Sequence, residues 1–79
     1  MDDLSNTNKI IGLKRSLEAV NNDLVSKMYL AGDTDEHILK QLLEAAQAHD
    51  VGVEYCDSML DLGRACSIDV GASVVVILK

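Results

Sequence analysis

The chain has 79 residues and a formal net charge of −6, is 48% apolar but only 3% aromatic, and holds two cysteines and no proline. That length suits one domain near the lower limit of what folds without disulfides or metal, and the core has to be built from Leu, Ile, Val and Ala. No run of about 18 apolar residues and no charged-then-apolar leader occurs, so the expectation is a cytoplasmic protein with no membrane partner.

Residues 1–8 are polar and expected to be frayed or at most a helical turn; one α/β domain is expected over 9–79. Lys9-Ile10-Ile11 reads as a very short strand. After Gly12, the residues Leu13, Leu17 and Val20 recur on one helical stripe, which should stop near Asn21-Asn22. A β-rich segment lies within Leu24 to Ala31, and Gly32-Asp33 ends it. Asp33 and Glu36 have the spacing of a capping box, so a helix is expected over about Thr34 to His49, with Ile38, Leu39, Leu42, Leu43, Ala45 and Ala46 on its apolar face. Val51 to Cys56 alternates like a strand. Ser58 with Asp61 starts a further helix leading into Met59, Leu60 and Leu62. Val74 to Leu78 is a solid apolar run, as in a strand covered on both faces. The order β-α-β-α-β-α-β calls for a three-layer α/β/α sandwich, an α/β fold with about four strands in a mixed sheet and helices on both faces.

The acidity belongs to one segment. Residues 33–61 carry Asp33, Asp35, Glu36, Glu44, Asp50, Glu54, Asp57 and Asp61 against Lys40 alone, a local charge of −7 that leaves +1 for the remainder. Cys56 and Cys66 show no CxxC pattern and are expected to be buried thiols. His37 and His49 lack a ligand set, and Asp33-Thr34-Asp35 fits a helix cap better than a Mg²⁺ site, so neither metal nor cofactor is expected. No nucleophile-base pair, paired carboxylates or phosphate-cradling glycine loop stands out, which points away from an enzyme.

The stretch Ser67-Ile68-Asp69-Val70-Gly71 sets two β-branched apolar residues in a turn ahead of a strand that is already apolar. Taken with Leu62-Gly63-Arg64-Ala65-Cys66 before it and Ala72-Ser73 after it, with Ile11 to Ser16 and with Ala31 to Asp35, it resembles the ribosomal L7Ae family, most closely its small bacterial branch. The likeness runs from about residue 9 to residue 78. That family binds kink-turn RNA, a sharply bent duplex with tandem sheared G·A pairs.

The resemblance implies a partner RNA with a kink-turn, in ribosomal or structured leader RNA, bound by a monomer. It places Gly12, Leu13, Lys14 and Arg15 at a helix start facing guanines and phosphates, with Glu18 one turn along where the family usually has lysine. It places Ile68, Asp69, Val70 and Gly71 in a loop against a flipped-out nucleotide. Ser67 stands where the family commonly has glycine. The chemistry is reasonable, because a helix N-terminus offers N–H groups to phosphate, Lys and Arg donate to guanine O6 and N7, and an unstacked base has a face to bury. A shallow salt dependence follows, with about two to four phosphates engaged.

Each feature also has a plainer reading. Lys14 and Arg15 fit an ordinary solvated helix start, and Ile68 and Val70 fit a cap on the core. The acidic 33–61 segment with Glu18 suits a second functional class, a protein-protein interaction module of the same fold that has lost RNA binding and docks a basic partner.

Overall fold

The computed structural model describes residues 8–79, so the expectation for the N-terminal segment lies, except for the exposed Asn8, outside the described residues. Seven elements follow in the expected order: β1 (Lys9–Ile11), α1 (Leu13–Asn21), β2 (Val25–Ala31), α2 (Glu36–Ala48), β3 (Gly52–Cys56), α3 (Met59–Ala65) and β4 (Val74–Leu78). The strands form one sheet in the order β1-β4-β2-β3. β4 is antiparallel to β1 and β2, whereas β2 and β3 are parallel, which makes the sheet mixed.

Strand alternation sends side chains to two separate cores. Met28 and Leu30 of β2 and Val74 and Val76 of β4 meet Ala19 and Val20 of α1 and Leu42 and Ala46 of α2 on one face. Tyr29, Ala31 and Val75 meet Leu62 and Cys66 on the other face, under α3. The layers are therefore two helices, a sheet and one short helix. Val74, Val75 and Val76 are all 0% exposed, so β4 is covered on both faces as its unbroken apolar run requires. Both cysteines are buried thiols, not joined in a disulfide. Burial pushes the Cys56 thiol pKa up, with the Glu54 charge adding to the effect.

The helix starts differ from the sequence reading at one place. α2 begins at Glu36, two residues later than expected, and its cap is Asp35, whose carboxylate accepts from the His37 N–H at 2.8 Å. Asp33 is not that cap. The Thr34 N–H donates to the Ala31 C=O at 3.2 Å, which closes a turn through Gly32-Asp33. The Asp33 carboxylate instead accepts from the Met59 N–H at 2.8 Å. Asp33 therefore tethers the start of α3, where Ser58 accepts from the Asp61 N–H at 3.1 Å as its spacing predicts.

The three helices of the described residues end in the same way. Asp23, Asp50 and Ser67 follow the respective C-caps with φ of 58°, 56° and 60°. Their N–H groups donate to Val20, Gln47 and Arg64, and those of the following Leu24, Val51 and Ile68 donate to Ala19, Ala46 and Gly63. This is the Schellman pattern, in which a left-handed residue lets two N–H groups satisfy helix-end carbonyls and the next residue packs back on the helix. Asp tolerates the left-handed region better than most residues, and serine gains less there. Ser67→Gly is accordingly expected to raise stability by about 0.5–1 kcal/mol, read as a higher urea midpoint at unchanged m-value.

Candidate nucleic-acid interface

Because β1, β2 and β3 run one way and β4 the other, three strand ends and the start of β4 meet at one edge of the sheet. The Gly12 N–H donates to the Val74 C=O at 3.3 Å, and the Ala31 N–H donates to the Ser73 C=O at 3.0 Å. These bonds bring the start of α1 and the corner after α3, which are more than fifty residues apart, onto the same rim.

Gly12 caps α1 with φ 112° and ψ 151°, a conformation closed to residues with a Cβ. The helix has no side-chain cap and no acid in its first turn. Its first N–H groups and the positive end of its dipole are therefore left for an anion. Lys14 and Arg15 are exposed beside it, whereas Leu13 is half-buried against the first core. Glu18 is also exposed, and with Arg15 it rims a shallow groove of about 190 Å³ floored by Ile10, Ala19 and Leu24. Ser16, one turn in, is fully buried with its hydroxyl unpartnered.

The corner divides its two apolar residues. Ile68 follows the left-handed Ser67 and packs half-buried against the second core. Val70 is 66% exposed, and Asp69 and Gly71 are exposed on either side of it. Two contacts pin the loop. A Cβ on Gly63 would lie 2.1 Å from the Val70 carbonyl oxygen, so backbone rests directly on backbone there. The Ala72 N–H donates to the Met59 C=O at 3.0 Å.

Met59, 38% exposed, extends the apolar surface next to Gly71, and Leu60 beside it in the chain is 50% exposed. Sequence reading assigned both to the start of a helix, where the structure has them. Their exposure has a clear helical cause: on a seven-residue helix one narrow stripe reaches the sheet, and Leu62, 0% exposed, occupies it. No group of three or more His, Cys, Asp or Glu side chains that could hold a metal ion occurs among the described residues. None of their helices is long and apolar enough to cross a membrane.

Comparison with known proteins agrees with this architecture. An RNA-binding protein of Caldanaerobacter subterraneus subsp. tengcongensis is 42% identical over 65 residues, covering 82% of this chain and 79% of that protein. RNA-binding protein YbxF of Geobacillus stearothermophilus is 37% identical over 70 residues, covering 89% and 85%. Among solved structures, the Giardia lamblia 15.5kD RNA binding protein superposes with a TM-score of 0.84 at 29% identity, over 91% of this chain and 61% of that one. The family model described as ribosomal protein L7Ae/L30e/S12e/Gadd45 matches residues 3–79, and the chain belongs to that family.

Proposed function

We propose that this protein is a non-enzymatic RNA-binding protein that recognises kink-turn RNA as a monomer in the cytoplasm, as a ribosomal or ribosome-associated component. The observation that carries the reading is the pairing, on one rim, of an uncapped helix start flanked by Lys14 and Arg15 with an exposed Val70 held on a rigid corner. Gly12, Leu13, Lys14 and Arg15 would present N–H groups and cations to sheared guanines and phosphates. Ile68 would support the corner from below, while Asp69, Val70 and Gly71 would meet an unstacked nucleotide. Relatives named as RNA-binding proteins at 37–42% identity support an RNA partner.

The test is a titration of a kink-turn duplex against the same duplex with its G·A pairs made Watson-Crick. Clear preference for the kink-turn is expected, and equal affinities would refute shape recognition. Glu18 lies one turn from Lys14 on the same helix and is exposed, so it repels phosphate entering beside Arg15. Glu18→Lys is expected to tighten kink-turn binding by about three- to tenfold at low salt and to steepen the slope of log affinity against log salt by about one. Unchanged affinity would place this turn of α1 away from the RNA.

A further inference from the structure

The outer edge of β3 is not used by the RNA reading. β3 is last in the strand order, and among the described residues no strand pairs beyond it. In a parallel pair, successive residues of a strand point their N–H and C=O alternately toward and away from the neighbour. The Cys56 C=O accepts from the Gly32 N–H at 2.8 Å, on the β2 side. Cys56 and Glu54 therefore turn their backbone groups inward, and Val53 and Tyr55 turn theirs to the open side.

Two residues apart, Val53 and Tyr55 project from the same face of the sheet but differ in burial. Val53 packs into the first core, so this part of the strand is held firmly. The Tyr55 side chain stands 55% exposed at the edge. Acids bracket the strand: Asp50 and Asp57 lie just before and after it, Glu54 is on it, and Asp61 is in the first turn of α3, which packs on β3. Only Glu54 among these four has a cation against it, Lys27 at 3.0 Å, among the ion pairs of the described residues.

Natural edge strands are commonly protected by lysine, proline or a bulge, and β3 carries none of the three. A second copy is disfavoured as the occupant, because edge-to-edge pairing of two such strands would set Asp50, Glu54 and Asp57 against their own kind. Phosphate is disfavoured for the same reason. What complements unpaired N–H and C=O groups in a negative field is an extended polypeptide carrying cations.

We propose that the β3 edge docks an extended Lys/Arg-rich polypeptide segment, which adds to the sheet as a further strand alongside Val53 and Tyr55. Main-chain bonds supply the register, the Tyr55 ring supplies an apolar contact, and the bracketing acids select cationic side chains. β1, beside Lys14 and Arg15, is the opposite margin of the sheet. RNA and peptide can therefore be held together, and each activity fails or survives without the other.

The probe is an alternating Lys-Thr peptide of about ten residues, with an alternating Glu-Thr peptide as control, and the readout is amide hydrogen exchange by NMR on the full chain. On saturation with the Lys-Thr peptide, the Val53 and Tyr55 amides are expected to slow at least about tenfold, while Glu54 and Cys56, already bonded to β2, change little. Tyr55→Pro removes an outward N–H and no bond to β2, and it is expected to abolish binding. Tyr55→Thr keeps that N–H and should retain most of it. The proposal is overturned if the Lys-Thr peptide leaves both amides unprotected, if the Pro and Thr variants bind alike, or if the Glu-Thr peptide binds as well. Protection of these amides by kink-turn RNA alone would also overturn it, since the edge would then belong to RNA.

Discussion

Gly63→Ala is expected to melt about 10 °C below the parent protein and to bind kink-turn RNA at least about tenfold more weakly. In an ordinary helix interior the same change stabilises by about 0.5–1 kcal/mol, so the sign itself tests the structure. Here the new Cβ would stand 2.1 Å from the Val70 carbonyl oxygen, 3.1 Å from its carbon and 3.3 Å from the Gly71 Cα. None of these atoms belongs to a flexible side chain that can swing away.

The corner is also tied to α3 by the Ile68 N–H donating to the Gly63 C=O at 3.1 Å and by the bond from Ala72 to Met59. Relief requires either the corner to peel from the helix or α3 to lift from Tyr29, Ala31 and Val75. Overpacking of this kind costs about 1–3 kcal/mol beyond what the methyl gains. The RNA effect follows because Val70 moves, whereas the start of α1 is untouched. A Gly63→Ala protein that melts with the parent would show that the backbone approach is not tight.

The double change Lys14→Ala with Arg15→Ala is expected to have the opposite profile. Both side chains are exposed and neither takes part in an ion pair of the described residues, so the melting temperature should stay within about 2 °C of the parent. RNA affinity should fall about a hundredfold, because each cation that bonds a guanine or a phosphate is worth about 1–3 kcal/mol. The slope of log affinity against log salt should become shallower by about one to two. An intact melting curve with unchanged affinity would move the RNA away from α1. A fall in affinity at unchanged salt slope would mean that the two cations do not meet phosphate.

Local chemistry was legible wherever one short-range interaction dominated. Ser58 caps α3 at its predicted spacing because the competing groups lie within one turn. Asp33 and Asp35 offered two carboxylates to one helix start, and the choice between them was made by the Met59 backbone, which lies 26 residues away and holds Asp33. The helix ends fell close to where they were expected, near Asn21-Asn22 and His49, but the residues that close them carried no glycine signal. Glycine is the usual sign of a left-handed residue, and Asp23, Asp50 and Ser67 fill that place instead. Ile68 looked superfluous in a turn because the cluster it packs against draws Tyr29, Leu62 and Val75 from three other elements.

By itself the sequence determined the element order, the α/β class, the coverage of β4 on both faces and the concentration of acid in residues 33–61. These follow from hydrophobic periodicity and composition, which act over a few residues and leave their mark in any window that contains them. Only the tertiary structure decided that Ile68 turns inward while Val70 stands out, that Met59 joins the corner, and that the backbone groups of Val53 and Tyr55 face an open edge. Each of those outcomes depends on which segments become neighbours in the sheet, and strand order and register are settled by packing between residues far apart in the chain. The turn at Ser67 to Gly71 is the clearest case: the composition marked it as unusual, but the approach of Gly63 to Val70 gave it its shape.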